Sequence, residues 1–403
     1  MSKILAYGFP LDANFGGPSV VHGLCATLKR VCPGHELIVY QQRKVDPISV
    51  SDLDCPVRFF PYWKQVYKFY RDGLLLKFFG RRSRNPICAQ FWDDFCAAEA
   101  VVNIYAICFC SSIRTYMSTT SRFQTWRVFF QSFGIGLMAR FWSKLSVKST
   151  SSFGPIQKKS DIRLARRAAR WAFTRIVARE EEGRVQLKEI VRVRQPVEVA
   201  PDIANAWRPD VTRFARPTLG VAISFQSEIQ WKRKGQDYIG FMKMLVEHAR
   251  CHYGCDVLLL PNQTNRKGGR TDVTIGEEIC TKIGSPAQVK VFDTERASPL
   301  ALRMAIASCS AVVSCRYHTC VAAFASAVPT LVLGWHNKYQ ELVRHYGQEH
   351  WMLSTEDCVK TDATTVLDGL WEQRERVAAE LRARGPNVVA AVDRSVAYLF
   401  NRI

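Results

Sequence analysis

The chain has 403 residues, of which 47% are hydrophobic, so it is too long for one ordinary domain and has enough apolar material for two cores. Its formal net charge at pH 7 is +20, from 56 Lys and Arg against 36 Asp and Glu. This excess predicts an anionic partner, which can be an acidic or phosphorylated substrate, a membrane surface or a nucleic acid. No recognised nucleic-acid-binding module is visible, so we expect no nucleic acid partner.

Targeting, membrane-spanning and metal signals are all weak. The first residues lack the apolar core of a secretory signal, and the longest apolar run, near 100–110, is too short to cross a bilayer. Fourteen cysteines without a C-x-x-C pair are typical of free thiols in a reducing compartment. Cys251 and Cys255 lie near His248 and His252, but two Cys and two His on one helix rarely converge on one zinc ion. We therefore expect a cytoplasmic protein without a metal.

The chain begins as a strand–turn–helix–strand unit. Gly16 and Gly17 form a tight turn, and Pro18 suits the first position of the helix that follows. Such a unit is the start of a βαβ arrangement, which predicts a parallel sheet. The elements predicted in the first half are strands at 3–8, 37–41 and 101–108 and helices at 20–31 and 161–177.

The segment 58–84 departs from this pattern. It contains nine aromatic residues, eight Lys or Arg and one acid, Asp72, which is a net charge of +7. Aromatic rings insert at the headgroup boundary of a bilayer and basic side chains bind anionic lipids, so the segment predicts docking on the inner face of the cell membrane. The alternative is that the aromatic rings pack under the first domain and leave the basic side chains in solvent.

The second half alternates regularly between strands and helices. Four prolines in 196–217 indicate an interdomain connection. The elements predicted after it are strands at 219–225, 256–261, 289–292, 311–314 and 330–334 and helices at 236–250, 272–283, 300–308, 317–327 and from 364 onward. This rhythm predicts a second doubly wound parallel sheet. The predicted organisation is an α/β domain at 1–195 with an insertion at 58–84, the linker 196–217, a second α/β domain at 218–363 and C-terminal helices at 364–403.

In parallel sheets, ligands bind at the carboxyl ends of strands, beside helix N-termini. An apolar strand ends at Ser314, and Arg316 and His318 then fall on the first turn of a helix. An Arg offers a two-pronged contact for phosphate or carboxylate, and the helix dipole adds to the attraction. Lys338 follows the next strand and can reach the same pocket, although a single Lys is usually a solvated surface residue.

Several ordered stretches resemble the polysaccharide pyruvyl transferase family. The C-terminal signature of strand, R-x-H, alanine-rich helix and a later Lys fits the run from Val313 through Arg316 and His318 to Lys338. The other matching stretches are Asn14-Phe15-Gly16-Gly17, Ser152-Phe153-Gly154-Pro155, Ala178-Arg179-Glu180-Glu181 and Pro201-Asp202-Ile203-Ala204.

The resemblance implies a two-domain fold like that of GT-B glycosyltransferases, with the active site in the interdomain cleft. It implies phosphoenolpyruvate as donor co-substrate, a sugar diol as acceptor, and a cyclic pyruvate ketal as product, without a cofactor. By motif match the implied donor ligands are Arg179, Arg316, His318 and Lys338. His318, with a reference pKa near 6.5, would protonate the methylene carbon of the donor, and Arg316 and Lys338 would stabilise the phosphate.

The acceptor side is predicted on the first domain. We expect Asn14, Gly16 and Gly17 to face the second domain, and Asp12 or His22 to serve as the base for the acceptor hydroxyl. Two other functions stay open. One is a GT-B glycosyltransferase that uses a nucleotide sugar, with Glu341 on the donor ribose. The other is a non-catalytic basic protein that binds membrane surfaces.

Overall fold

The protein is described from a computed structural model, which covers residues 2–8, 11, 14–62, 65–109, 122–263, 269–294 and 296–401. Two sheets with only parallel pairings, each flanked by helices, form two α/β domains, which confirms the predicted fold class. In the part of the chain that the structure describes, no helix combines the length and the apolar character that crossing a bilayer requires.

The first sheet has the strand order β3-β2-β1-β4-β6-β7-β8, and β5 pairs with β6. Its strands are β1 (Ser2–Tyr7), β2 (His35–Gln41), β3 (Val57–Phe59), β4 (Ala98–Asn103), β5 (Ile107–Cys108), β6 (Leu145–Phe153), β7 (Arg175–Ala178) and β8 (Val197–Val199). The α-helices of this half are α1 (Gly16–Val31), α2 (Val66–Phe79), α3 (Pro86–Ala97), α4 (Arg122–Phe141), α5 (Lys159–Arg167) and α6 (Glu181–Val185). Two π-helical turns continue α5 and α6, at Ala168–Ala172 and Gln186–Val191.

The second sheet has the order β11-β10-β9-β12-β13-β14. Its strands are β9 (Thr218–Ile223), β10 (Asp256–Pro261), β11 (Val289–Val291), β12 (Ala311–Ser314), β13 (Thr330–Gly334) and β14 (Met352–Ser354). The helices are α7 (Phe225–Arg233), α8 (Tyr238–Tyr253), α9 (Asp272–Lys282), α10 (Pro299–Ser308), α11 (Tyr317–Ala325), α12 (Asn337–Tyr346), α13 (Asp357–Lys360), α14 (Ala363–Glu372) and α15 (Arg374–Phe400). Short 3₁₀ turns lie at Pro47–Ser49, Ile203–Ala206 and Glu349–Trp351.

Three predicted elements differ from the structure. The helix expected over 161–177 ends at Ala172, because buried residues after it continue as β7 between β6 and β8. The strand expected over 101–108 is interrupted after Asn103, whose side chain accepts a hydrogen bond from the Tyr105 amide and turns the chain. The segment 196–217 contains β8, which belongs to the first sheet.

The aromatic segment divides between core and surface. Phe60, Tyr62 and Phe69 are at most 1% exposed and stack under the first sheet against Phe91 and Trp92 of α3. The core-packing interpretation is therefore correct for these rings, while other rings of the same segment face outward.

Two features join the domains. Phe15, just before α1, is buried in an apolar cluster of the second domain, and its amide donates to the Asn262 carbonyl at 3.2 Å. Helix α15 returns from the second domain to the first, where Asp393 accepts two hydrogen bonds from Arg30, at 2.7 and 3.0 Å. The relative position of the two sheets thus depends on contacts at both ends of the chain.

Helix α1 also packs closely against the connection between the domains, and Gly23 permits this approach. A Cβ at Gly23 would lie 2.1 Å from the Ile203 carbonyl oxygen, whereas a Cβ at Gly369 of α14 would be in ordinary contact at 3.7 Å. We expect Gly23→Ala to lower the free energy of unfolding by about 1–3 kcal/mol through overpacking. We expect Gly369→Ala to raise it slightly, because Ala is the better helix former.

Chemical denaturation of the two variants and the parent measures both effects. Equal stability of the Gly23→Ala variant and the parent would contradict the close contact between α1 and the connection.

Candidate active site

A cavity of about 220 Å³ lies between the carboxyl ends of strands from the two sheets. One wall follows β6 and β7 of the first domain, and the other follows β13 of the second. The cavity is lined by Ser152, Phe153, Gly154, Pro155, Glu180, Glu182, Gly183, Trp335, His336 and Lys338. Its position matches the rule that ligands of parallel sheets bind beyond the carboxyl ends of strands.

The buried ring of Tyr317, the first residue of α11, is the centre of a group of nitrogen-bearing side chains. The Arg179 guanidinium lies 4.3 Å from the ring centroid and the Lys338 Nζ lies 5.3 Å from it. The centroid of the His318 ring is 5.4 Å away. Three of the four predicted donor ligands therefore surround one aromatic ring, whose faces attract cations.

Arg179 is 3% exposed and is held by groups from three segments. Its Nη1 donates to Asp202 at 2.6 Å, its Nε donates to Glu180 at 2.9 Å, and its Nη2 donates to the Ser152 hydroxyl. Burial alone would lower the pKa of Arg179, but Tyr317, Glu180 and Asp202 raise it above its ordinary value, so the side chain stays charged. Arg179 thus acts as a fixed cation inside the first domain.

Asp202 connects this cation to the second domain. Its carboxylate caps the 3₁₀ turn Ile203–Ala206 through the Ala204 amide at 2.9 Å, and its Oδ2 lies 3.8 Å from His318 Nε2. Burial would raise the pKa of Asp202, but Arg179 and His318 hold it below the ordinary value. The carboxylate is therefore ionised and orients both neighbours.

His318 lies where the two domains touch. A Cβ at Gly16 would be 2.3 Å from its Nδ1, so only a glycine fits opposite the ring. Its buried Nε2 makes no hydrogen bond with the described residues. Burial lowers the pKa of His318 to about 4. The charges of Arg179 and Lys338 act in the same direction, and the carboxylate of Asp202 opposes them. The reference pKa near 6.5 therefore does not describe the free protein, because burial disfavours the charged form of the ring.

Arg316 pairs with a buried carboxylate, and its charge is near enough to Lys338 to lower the pKa of that lysine. Its Nη2 donates to both carboxylate oxygens of Asp272, a fully buried residue that also accepts from the backbone amides of Phe225, Asn262 and Gln263. The Arg316 Nη1 makes no hydrogen bond among the described residues, and the side chain is 19% exposed. One edge of the guanidinium is thus neutralised and the other is open.

Lys338 is a buried basic residue in the lining of the cavity. Its side chain lies among Tyr317, Trp335 and Tyr339, and no carboxylate or hydrogen-bond acceptor of the described chain pairs with its Nζ. Burial lowers the pKa of Lys338 to about 7, and the positive charge of Arg179 contributes to this shift. Glu180 partly offsets this effect, but its carboxylate is paired with Arg179, so the ammonium is available to an anion.

The predicted acceptor residues that the structure describes are not among those that line the cavity. The Gly16 amide donates to Asn14 Oδ1 at 2.8 Å, and Gly16 and Gly17 open α1 beside the second domain. Asp12 lies outside the described residues. His22 is 7% exposed, stacks on Trp207 with ring centroids 3.8 Å apart, and is not among the residues that line the cavity.

The structure also shows what surrounds the other residues considered from sequence. Across the described ranges, no three His, Cys, Asp or Glu side chains are grouped so that they could hold a metal ion. His248 Nε2 instead lies 2.6 Å from Asp368 Oδ1. Glu341 pairs with Arg344 of its own helix at 2.7 Å.

Sequence reasoning missed the groups that hold the cations in place. Asp202, Glu180 and Ser152 stand in stretches that were recognised as family motifs, but their shared contact with Arg179 is not visible from spacing. Asp272 is separated from Arg316 by 44 residues, so no local pattern predicts their pairing. Tyr317 stands between the two residues of the R-x-H motif, and that position was the one available signal.

Solved structures with similar folds place the protein in a class. HepE of Anabaena, solved in complex with UDP, has a TM-score of 0.56 at 12% identity, with 99% of each chain covered. A putative UDP-N-acetylglucosamine 2-epimerase from Listeria monocytogenes has a TM-score of 0.56 at 10% identity, covering 94% of this chain and 90% of the other. The ADP-heptose heptosyltransferase II of E. coli has a TM-score of 0.50 at 12% identity, covering 93% and 99%. The fold is thus that of GT-B glycosyltransferases and related epimerases.

The sequence itself defines the family more narrowly. The profile of the polysaccharide pyruvyl transferase family matches residues 14–337, which include every residue of the cavity lining and of the Tyr317 cluster except Lys338, the next residue along the chain. The chain therefore belongs to the polysaccharide pyruvyl transferase family. No curated protein matches the sequence significantly.

The unpaired ammonium of Lys338 predicts a pH-dependent stability difference. Its pKa is about 7 in the folded protein and returns to its ordinary value of 10.5 on unfolding. The penalty for burying the charge is fully present below pH 7 and disappears as the pH rises towards 10.5. We expect Lys338→Met to be more stable than the parent at pH 6, by about 1.4 kcal/mol per unit of pKa difference, and the gap to close towards pH 10.

Denaturant titrations between pH 6 and 10 measure this difference. The exposed Lys360 provides the matched control, and we expect Lys360→Met to differ from the parent by the same amount at every pH. A Lys338→Met variant whose stability difference does not change with pH would show that Lys338 has an ordinary pKa.

Proposed function

We propose that the protein transfers a pyruvyl group from phosphoenolpyruvate to two hydroxyl groups of one sugar in a surface glycan, free or lipid-linked. The products are a cyclic pyruvate ketal and inorganic phosphate. One observation carries the proposal within the family: the buried, unpaired ammonium of Lys338 in a cavity at the carboxyl ends of both sheets. A buried ammonium without a direct carboxylate partner supports an anionic ligand at this site.

The surroundings of Lys338 suit a donor that carries both a phosphate and a carboxylate. Lys338 lies in the first turn of α12. Arg316 occupies the N-cap position of α11, but its side chain makes no hydrogen bond to the backbone amides of that helix. Free amides at a helix N-terminus attract anions. Lys338, the open Nη1 of Arg316 and the first turn of α11 thus form a cationic set for the two anionic groups.

The fixed ion pairs have a different part in this proposal. Arg179 is saturated by Asp202, Glu180 and Ser152, so we assign it the role of a positioning residue whose charge acts on the donor without direct contact. The Asp202 carboxylate lies 3.8 Å from His318 Nε2, so it would stabilise the ring once the ring is protonated. This arrangement keeps the imidazole oriented while the cavity is filled.

His318 is neutral in the free protein, so its acid function depends on the donor. The negative charge of bound phosphoenolpyruvate raises the pKa of a nearby imidazole, because an opposite charge favours the protonated form. The protonated ring then gives its proton to the methylene carbon of the donor, which becomes a methyl group. One sugar hydroxyl bonds to C2 and loses its proton, the C2–O bond to phosphate breaks, and the second hydroxyl closes the ketal and loses its proton.

The decisive experiment is incubation of the protein with phosphoenolpyruvate labelled in its pyruvyl carbons and a panel of free and lipid-linked saccharides. We expect equimolar release of phosphate and transfer of the label to an acid-labile ketal. Nucleotide sugars tested in parallel should release no nucleotide. Nucleotide release without any consumption of phosphoenolpyruvate would overturn the proposal and favour a glycosyltransferase.

Variants separate the proposed roles in the same assay. We expect His318→Ala to lower kcat by about 10²–10⁴-fold while phosphoenolpyruvate still binds. We expect Lys338→Met to weaken donor binding by about tenfold or more, because it removes a charge-assisted contact. Lys360→Met should match the parent in both measurements. Near-parental turnover by the His318→Ala variant would exclude this residue as the general acid.

A further inference from the structure

Helix α2 presents two unlike faces. Phe69 and Gly73 face inward, and a Cβ at Gly73 would lie 2.4 Å from the Trp92 ring, so this face is locked against α3. Tyr67, Leu74 and Phe78 lie on the outward face, at helical spacings of seven and four residues. They are 77%, 41% and 62% exposed.

The outward face continues into a larger apolar patch. Phe79 is 72% exposed, and the Phe78 ring makes an edge-to-face contact with Phe141 of α4, whose side chain is 43% exposed. Five of the twelve large hydrophobic side chains exposed in the described chain therefore belong to this one surface. Monomeric proteins rarely leave such rings clustered in water without a partner.

Basic side chains surround these rings. The exposed bases on or just after α2 are Lys68, Arg71, Lys77, Arg81, Arg82 and Arg84. The one acid between residues 66 and 84 is Asp72, which is 4% exposed and accepts hydrogen bonds from Arg71 and Ser83. The patch thus offers aromatic rings and positive charge to solvent, with its carboxylate turned inward.

We propose that the outward face of α2, with Phe141, docks the protein on a bilayer that contains anionic phospholipids. Aromatic rings enter the boundary between headgroups and acyl chains, and the surrounding Lys and Arg side chains bind the anionic headgroups. The occupant is a bilayer because the patch combines both chemistries on one helix face. The inference does not depend on pyruvyl transfer, since it rests on residues outside the cavity.

Vesicle sedimentation with the full chain tests the proposal. Vesicles of phosphatidylcholine alone are compared with vesicles that contain about a third phosphatidylglycerol, each at low and high salt. We expect strong binding to the anionic vesicles, weak binding to the neutral ones, and a steep loss of binding with salt because exposed charges are screened. Equal binding to both vesicle types would overturn the charge-based part of the proposal.

Two sets of variants address the charges and the rings separately. The charge set avoids two bases that have structural partners. Arg71 donates to Asp72, and Lys77 donates to the Phe141 carbonyl. The charge set is Lys68→Glu, Arg81→Glu and Arg84→Glu, and the ring set is Tyr67→Ser, Phe78→Ser and Phe79→Ser. We expect each set to lower the partition coefficient by at least about tenfold.

The controls change comparable exposed residues of the second domain. They are Lys232→Glu with Arg233→Glu for charge and Met244→Ser with Met304→Ser for apolar exposure, and both should bind as the parent does. Parental binding by the charge and ring variants would overturn the proposal. So would a parent that fails to bind vesicles but forms a dimer that the ring set dissociates, because the occupant would then be a second copy.

Discussion

The buried ion pair between Arg179 and Asp202 determines how the two halves of the cleft meet. Arg179 follows β7 of the first domain, and Asp202 begins the turn that leads to the second domain. Tyr317, at the start of α11, lies over the guanidinium. Removing one partner of such a pair leaves an uncompensated buried charge, which is far more destabilising than losing the pair as a whole.

This constraint explains why the cationic residues of the cleft are not equivalent. Arg179 and Arg316 each have a carboxylate partner, so their charges are largely balanced before a ligand arrives. Lys338 has none, and burial lowers its pKa to about 7. In the proposed function Lys338 therefore supplies the charge that no paired carboxylate balances. The low pKa of His318 follows from the same enclosure, because burial disfavours the charged form of the ring.

The alternation of strands and helices was enough to predict the two-sheet fold and to place Arg316 and His318 at the start of α11. It failed where a residue's state depends on distant neighbours. The reference pKa of His318 suggested a protonated ring, but the ring is enclosed by Gly16 from the other domain. The helix expected through residue 177 stopped at Ala172, because Ile176 and Val177 are drawn into the first sheet. In α2, composition alone could not tell which aromatic rings are buried. The structure shows that Phe69 faces the core, whereas Tyr67 and Phe78 face solvent.

The proposed function requires an anionic donor to bind the unpaired Lys338 and to restore its proton. Isothermal titration of phosphoenolpyruvate at pH 8, in buffers of different ionisation enthalpy, measures the protons taken up on binding. At this pH Lys338 is mostly neutral in the free protein, and the bound anion raises its pKa, so we expect net proton uptake. We expect less uptake in Lys338→Met, because only the proton gained by His318 remains. Binding without proton uptake, or the same uptake in the variant, would overturn the proposal.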